Sequence, residues 1–241
     1  MSIRLFLEQS ITRSYPFSSW WKNGISVVIC ILFTPFSWLY SLVVSSRNTL
    51  YDLGWLKPKI LPTQVISVGN ITVGGTGKTP FAIYTYKLLK KLGYKPVFLT
   101  RGYGGLLKGP IEVTDRHDYK KVGDEALLLN KIGPTIVSKD RSLGAKLIEK
   151  HEDNFNIIIM DDGLQNYQLE QDIKFLLVDR NLKFGNEFCI PAGPLREPIN
   201  QGLIRIDAIV LTGNNNKDAY FNNFHNLSLI HISEPTRPLY I

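Results

Sequence analysis

The stretch Gln64-Val-Ile-Ser-Val-Gly-Asn-Ile-Thr-Val-Gly-Gly-Thr-Gly-Lys-Thr-Pro80 joins a short apolar run to a glycine-rich loop and to the beginning of a helical pattern. A strand, a glycine-rich loop and a helix in this order are the context of a phosphate-binding loop. Glycines let backbone N–H groups turn toward phosphate oxygens, and the N-terminus of the helix attracts negative charge. The sequence therefore predicts a nucleotide site made of Thr72, Val73, Gly74, Gly75, Thr76, Gly77, Lys78 and Thr79.

Two side chains of this loop have expected chemical roles. Lys78 would reach the β- and γ-phosphates of a nucleotide, and the hydroxyl of Thr79 would bind Mg²⁺. The strict motif has glycine at the position of Thr72, whereas this loop carries Gly74 and Gly75. An ordinary glycine-rich turn is the alternative interpretation.

Apolar runs of strand length alternate with helical patterns along the rest of the chain. Strands are predicted over 64–68, 95–100, 135–138, 156–160, 173–178 and 207–211, and helices over 79–92, 124–132 and 141–151. Continuous apolar strands between amphipathic helices are typical of a parallel sheet covered on both faces. The predicted fold class is α/β, a P-loop NTPase-like, doubly wound and mainly parallel sheet, with a membrane helix at the N-terminus.

The membrane helix is predicted over 23–46, where the chain carries no charged residue. About 20 apolar residues are enough to cross a hydrocarbon core. Tryptophans and Lys22 precede this segment and Arg47 follows it, as at a membrane interface. Pro35 would also permit two shorter pieces lying in the interface, and a buried core helix is the remaining alternative.

The length, composition and charge of the chain indicate how it is divided into segments. The chain has 241 residues, 44% of them hydrophobic, and a net charge of +7, which indicates a packed core and an anionic partner. We expect a basic lead over 1–22, the membrane helix, one large domain over 47–213, and a tail over 214–241. The end of the tail, from Leu229 to Ile241, shows no helical or strand period, and we expect the tail to be incomplete or non-native.

Acidic residues occur where a phosphoryl-transfer site needs them. Ile157-Ile-Ile-Met-Asp-Asp162 is an apolar strand ending in two carboxylates, one of which would serve a metal ion. Neighbouring side chains of a strand point in opposite directions, so Asp161 and Asp162 should differ in role. A turn capped by aspartate is the alternative. Asp124 begins a helix, either as a plain cap or as the carboxylate that orients an acceptor hydroxyl.

Two further loops carry charged residues. Arg101 follows a strand inside a glycine-rich loop, where it would bind an anionic acceptor or remain a solvated loop arginine. Pro191-Ala-Gly-Pro-Leu-Arg-Glu-Pro198 is too rich in proline for a helix or a central strand, so it predicts a shaped loop carrying Arg196 and Glu197.

These motifs together resemble the tetraacyldisaccharide 4'-kinase family. The resemblance covers about Pro35 to Gly213 and rests on ordered motifs: Gly69-Asn-Ile-Thr-Val-Gly-Gly-Thr-Gly-Lys-Thr-Pro80, Arg101-Gly-Tyr-Gly-Gly105, Gly123-Asp-Glu125, Asp161-Asp-Gly-Leu-Gln165, Phe184-Gly-Asn186 and Pro191-Ala-Gly-Pro-Leu-Arg-Glu197. It implies transfer of the γ-phosphate of ATP, with Mg²⁺, to the 4'-hydroxyl of a tetraacyl disaccharide 1-phosphate in lipid A biosynthesis. It also implies a glycolipid substrate and a location at the bacterial inner membrane, with the catalytic domain on the cytoplasmic face.

The resemblance implies roles for particular residues. The catalytic residues would be Asp124, Lys78 and Asp162; the metal would be held by Thr79, Asp161 and Glu197; and Arg101 would bind substrate. Asn166 departs from the family, which often has histidine there, and family members continue past this chain's end into a second lobe.

Other function classes remain as alternatives. A P-loop GTPase or metallochaperone should show a guanine-reading Asn/Thr-Lys-x-Asp motif after a later strand, and no such motif follows Leu211-Thr-Gly-Asn214. A membrane-associated protein that binds nucleotide without lipid kinase activity is a further alternative. No nucleic-acid-recognition module is visible, so no nucleic-acid partner is expected.

Overall fold

An eight-stranded sheet runs through the residues that the computed structural model describes, which are 24–213 and 228–231. Its strands are β1 Gln64–Gly69, β2 Pro96–Thr100, β3 Ile111–Glu112, β4 Thr135–Val137, β5 Ile157–Asp161, β6 Ile173–Asp179, β7 Ala208–Thr212 and β8 Ser228–His231. Their order is β3-β4-β2-β5-β1-β6-β7-β8, and the β3–β4 pair is antiparallel while the other pairs are parallel. The predicted mainly parallel α/β sheet is confirmed.

The helices predicted over 79–92, 124–132 and 141–151 lie within two residues of the observed bounds, whereas two short helices, Tyr119–Val122 and Ile199–Ile204, were not predicted. The observed helices are α1 Gly24–Asp52, α2 Lys78–Lys91, α3 Tyr119–Val122, α4 Asp124–Asn130, α5 Arg141–Glu149 and α6 Ile199–Ile204. Pro80 lies in the first turn of α2, where its missing N–H leaves no hydrogen bond unmade. The side chain of Asp140 accepts hydrogen bonds from the N–H groups of Ser142 and Leu143 and so caps α5.

Helices cover both faces of the sheet because the side chains of each strand alternate between them. On one face, Ile66 and Val68 of β1 pack with Ile159 of β5 against α2 and α4. On the opposite face, Val65 and Ile158 pack with α5. Farther along that second face, β6 and β7 pack against α6 and against α1. The doubly wound arrangement follows from this alternation.

Helix α1 has two different sides. One side packs on the domain and includes Ser37, Val44 and Asn48, which are buried. The other side exposes large apolar side chains: Leu32, Phe33, Phe36, Trp38, Leu39, Leu42 and Val43. The predicted helix is therefore present and extends to Asp52, but none of the helices within the described residues combines the length and the apolar character needed to cross a membrane.

Part of the C-terminal tail is ordered as a strand. Ser228–His231 pairs in parallel with β7 at the edge of the sheet, so the expectation that this end has no strand character was wrong there. Four residues are too few to show a reliable period, and pairing with β7 supplies the backbone hydrogen bonds that select a strand. The predicted lead over 1–22 and the rest of the tail lie outside the described residues.

Candidate active site

The phosphate loop connects β1 to α2 at the carboxyl end of the sheet. Its turn places Gly74 at φ 124° and Gly77 at φ 80°, backbone angles at which a side chain is strained. Gly77 directly precedes the first residue of α2. The loop therefore turns into the helix N-terminus with glycine at both positions of positive φ, and its binding of phosphate stays a prediction.

Lys78 is held by an asparagine at the beginning of the same loop. The Lys78 Nζ donates a hydrogen bond to Asn70 Oδ1 at 3.2 Å, and Asn70 Nδ2 donates to the Gly74 carbonyl at 3.3 Å. The Asn70 side chain is 0% exposed. The loop motif does not single out Asn70, although asparagine directly after a strand commonly bonds to nearby backbone.

Thr79 and Asp161 form a pair suited to a divalent cation. The Thr79 Oγ1 donates to Asp161 Oδ2 at 3.1 Å, and the buried Asp161 Oδ1 has no hydrogen-bond partner among the described residues. Burial, followed by the nearby charge of Glu125, raises the pKa of Asp161 to about 7. A buried carboxylate oxygen without a partner fits a cation, and Mg²⁺ prefers oxygen ligands with several waters retained.

Asp162 faces a different set of partners. The Arg196 Nη1 donates to both carboxylate oxygens of Asp162, at 2.9 and 3.0 Å, and the Lys78 Nζ lies 3.8 Å from Oδ1. Asp162 has φ 55°, which is uncommon outside glycine and often marks functional positions. The two adjacent acids thus have separate surroundings, and Asp162 lies between an arginine and the phosphate-loop lysine.

Glu197 is buried on the far side of this network. It is 1% exposed, accepts a hydrogen bond from Gln165 Nε2 at 2.9 Å and pairs with Arg205. Burial raises the pKa of its carboxyl. Gln165 Nε2 also donates to the Asn70 carbonyl at 2.9 Å, so it joins Glu197 to the phosphate loop. The contacts of Glu197 are with Gln165 and Arg205 and not with Thr79, so its metal role stays a prediction.

Within the described residues, no group of three or more His, Cys, Asp or Glu side chains converges as a metal cluster. The Thr79 hydroxyl and the Asp161 carboxylate stay the predicted cation ligands that the structure brings into contact. This small ligand set suits Mg²⁺ carried with nucleotide phosphates, which supply further oxygens.

The predicted acceptor-side residues Asp124 and Arg101 lie at the start of α4 and directly after the end of β2. Asp124 is exposed at the first position of α4, and neither a hydrogen bond nor an ion pair fixes its side chain within the described part of the chain. Partial desolvation raises the pKa of the adjacent Glu125 although this residue is exposed at the surface, and the charges of Lys78 and Asp162 also act on it. The N-terminus of α4 therefore lies within electrostatic range of Lys78, and Asp124 is exposed there.

Arg101 has a second arginine near it. Arg101 is exposed after β2, and its charge acts on Arg141, whose pKa is lowered to about 10 mainly by burial. Arg141 Nη1 donates to the Ser138 carbonyl at 2.6 Å. Two cations at the ends of β2 and β4 make this side of the site positive.

Comparisons with known proteins identify the family of this chain. The family model for tetraacyldisaccharide-1-P 4'-kinase matches residues 29–236. The chain belongs to the tetraacyldisaccharide 4'-kinase family. A tetraacyldisaccharide 4'-kinase from Nitrosococcus oceani is 43% identical over 185 residues, covering 76% of this chain and 54% of that protein. One from Paramagnetospirillum magneticum is 51% identical over 192 residues, covering 79% of this chain and 56% of that protein.

A solved structure of this kinase family has the same fold. LpxK from Aquifex aeolicus, crystallised in complex with ATP, is 38% identical and superposes with a TM-score of 0.70. The match covers 76% of this chain and 59% of that one. The chain thus spans little more than half the length of the tetraacyldisaccharide 4'-kinases that it matches.

The departure from the family at Asn166 is local. Asn166 Oδ1 accepts a hydrogen bond from the Gln168 N–H at 3.1 Å, and Asn166 Nδ2 donates to Gln168 Oε1 at 3.3 Å. Both contacts lie within one turn. The asparagine therefore stabilises the turn that follows the paired acids and does not itself contact them.

Proposed function

We propose that the protein is an ATP-dependent lipid kinase that phosphorylates the 4'-hydroxyl of a tetraacyl disaccharide 1-phosphate in lipid A biosynthesis. The observation that carries this proposal is the placement of Lys78 and Thr79 directly against the paired acids, in a chain of this family. The relative crystallised with ATP supports the choice of nucleotide.

Each residue near the phosphate loop has a proposed task. Lys78 binds the β- and γ-phosphates, and Thr79 and Asp161 hold Mg²⁺. When bound, Mg²⁺ neutralises charge that develops on the transferred phosphoryl group. Arg196 fixes the carboxylate of Asp162, so that its negative charge stays beside the ammonium group of Lys78. Glu197 supports the phosphate loop through Gln165, which donates hydrogen bonds both to Glu197 and to the Asn70 carbonyl.

The acceptor side needs a proton acceptor and an anion site. Asp124 takes the proton of the 4'-hydroxyl while the oxygen of that hydroxyl forms a bond to the γ-phosphorus. The bond from that phosphorus to the β–γ bridging oxygen breaks, and ADP leaves with the electron pair. Arg101 binds negative charge on the acceptor, where the neighbouring Arg141 adds to the positive potential.

Helix α1 is the proposed membrane contact of the protein. The exposed apolar side of α1 and the net charge of +7 favour contact with an anionic bilayer surface. The acyl chains of the acceptor remain in the bilayer while the sugar reaches the site. Because ATP is cytosolic, the catalytic domain belongs on the cytoplasmic face of the inner membrane.

The direct test is transfer of labelled γ-phosphate from ATP to a tetraacyl disaccharide 1-phosphate in detergent micelles. This chain is assayed beside the full-length relative from Paramagnetospirillum magneticum, with GTP in parallel reactions and a 4'-deoxy acceptor as the control. We expect label in the lipid with ATP and the 4'-hydroxyl acceptor only. Absence of label with this chain, while the relative is active, would overturn the proposed activity of this chain. Binding of ATP without transfer would then favour a nucleotide-binding protein.

A further inference from the structure

The loop that carries Arg196 and Glu197 lies between the phosphate loop and helix α1. We call residues 184–197 the site loop. On its inner side, the Val73 N–H donates to the Pro194 carbonyl at 2.7 Å, and the Arg196 N–H donates to the Ile71 carbonyl at 2.7 Å. The backbone of the site loop is therefore bonded directly to the phosphate loop.

On its outer side, the site loop is bonded to α1. Ser37 Oγ donates to the Cys189 carbonyl at 2.7 Å and accepts a hydrogen bond from the Ala192 N–H at 2.8 Å. Tyr40 OH donates to the Arg196 carbonyl at 2.9 Å. Ser37 is 1% exposed, so its two hydrogen bonds are shielded from water. Buried hydrogen bonds of this kind are costly to lose, since the backbone groups would remain unpaired.

The same side of α1 also contacts α6. Asn48 Nδ2 donates to Gln201 Oε1 at 3.1 Å, and Gln201 Nε2 donates to Ser45 Oγ at 2.8 Å. Ser37, Tyr40 and Asn48 are spaced so that they share one helix side, opposite the exposed apolar side. An element that only anchored the chain would not need polar bonds to the loop that carries Arg196.

The side chain of Arg196 connects the contacts of the site loop to the phosphate-loop lysine. Arg196 pairs with Asp162, and Asp162 lies 3.8 Å from the Lys78 Nζ. Without the arginine, the Asp162 carboxylate would pair with Lys78 and compete with nucleotide phosphates for it. The position of the Arg196 backbone therefore controls how free Lys78 is to bind phosphate.

We propose that α1 is a positioning element of the active site, and that Tyr40 and Ser37 act as positioning residues by holding the site loop so that Arg196 stays on Asp162. The inference rests on the proposed function only for its kinetic readout. Its binding readout requires a nucleotide site and no lipid phosphorylation. The packing of α1 on the domain and the ability of the phosphate loop to bind nucleotide then depend on each other.

The experiment uses the full chain with Tyr40→Phe and Ser37→Ala. Thr34→Val is the matched control, because the Thr34 hydroxyl lies on the same helix and, among the described residues, bonds to the Cys30 carbonyl of that helix alone, at 2.7 Å. We measure the affinity for a fluorescent ATP analogue with Mg²⁺, together with kcat and the KM of the acceptor. Loss of one buried hydrogen bond should weaken nucleotide affinity or lower kcat by about three- to tenfold, leaving the acceptor KM unchanged.

A double-mutant cycle separates positioning from plain destabilisation. If Tyr40 acts through Arg196, Tyr40→Phe should have no further effect on nucleotide affinity in an Arg196→Ala background. Additive losses, or a Tyr40→Phe protein indistinguishable from Thr34→Val, would overturn the inference. If the wild type binds Mg²⁺-nucleotide but phosphorylates no lipid, the proposed function fails and the cycle still decides the coupling.

Discussion

Thr79 donates a hydrogen bond to Asp161 at 3.1 Å, and this contact joins two residues 82 positions apart in the chain. The other Asp161 oxygen is buried without a partner among the described residues. Asp161→Asn keeps the shape of the side chain and removes its charge. We expect the Mg²⁺ concentration for half-maximal phosphoryl transfer to rise by about 100-fold or more, measured by Mg²⁺ titration. An unchanged Mg²⁺ requirement would show that Asp161 is not a metal ligand.

The same carboxyl should make stability depend on pH. Burial, then the charge of Glu125, raises the pKa of Asp161 from 3.8 to about 7. An acid with a raised pKa favours the folded state when protonated, so its contribution is present below about pH 4 and is lost as the pH rises through 7. Without Mg²⁺, the Tm of the wild type should therefore fall relative to that of Asp161→Asn over this range. Parallel pH profiles of the two proteins would contradict the shift.

Asn70 should control the orientation of Lys78. Asn70→Ala removes the acceptor of the lysine hydrogen bond, which lies at 3.2 Å. We expect ATP affinity to fall by about three- to tenfold, measured by fluorescence titration. In a Lys78→Ala background the same change should have little further effect. Asn130→Ala, at the end of α4, is the control for replacing an asparagine elsewhere in the protein. An equal decrease in ATP affinity in that variant would show that Asn70 does not orient Lys78.

Asp124 should be needed for chemistry and not for nucleotide binding. Asp124→Asn should lower kcat by about 10²- to 10⁴-fold, because the amide cannot take the proton of the acceptor hydroxyl. The affinity for ATP should stay the same, since no described contact joins Asp124 to the phosphate loop. Asp118→Asn is the matched control: Asp118 caps α3 by accepting from the Lys121 N–H. A similar kcat in wild type and Asp124→Asn would exclude Asp124 as the base.

The backbone conformation of Gly77 in the phosphate loop should matter for nucleotide binding. Gly93, which follows α2 and has a similar φ angle, is the matched control. Their φ angles are 80° and 89°, and an added Cβ would be accommodated sterically at both. Alanine at either position should cost about 1–2 kcal/mol of stability, seen as similar losses of Tm. Only Gly77→Ala should also weaken ATP binding. Equal ATP affinity in both variants would show that the loop tolerates the change.

The exposed side of α1 should carry membrane binding. Leu39 is 61% exposed on that side, and Leu92 is 64% exposed at the end of α2. Leu39→Glu should reduce co-sedimentation with anionic vesicles, because a carboxylate there opposes both apolar contact and the surface charge. Leu92→Glu adds the same charge elsewhere and should bind vesicles like the wild type. Equal vesicle binding by the two variants would exclude this side of α1 as the contact.

The order of secondary structure could be predicted because its signals are local. The apolar runs of β1 and β5, the glycines of the phosphate loop and the Asp140 cap each act within a few residues, and the structure has these elements within one or two residues of the predicted bounds. Strand β8 was missed for the same reason, since four residues paired only with β7 carry too little pattern.

The partners of the site residues could not be predicted from local signals. Asp162 meets Arg196 across 34 positions, Gln165 meets Asn70 across 95, and Tyr40 meets Arg196 across 156. Glu197 was expected to help hold the metal; it contacts Gln165 and Arg205, and its metal role stays a prediction. Such contacts depend on which strands are neighbours and on how the loops between them pack.

The sequence by itself determined the phosphate loop, the paired acids at the end of a buried strand and the family, because each depends on residue types at short, fixed spacings. Only the tertiary structure decided that Asn70 holds Lys78, that Arg196 holds Asp162 and that α1 is bonded to the site loop. The strand order brings β5 beside β1, and this places Asp161 against Thr79. Distant segments become neighbours only when the sheet has formed, and that is why their contacts are absent from any local pattern.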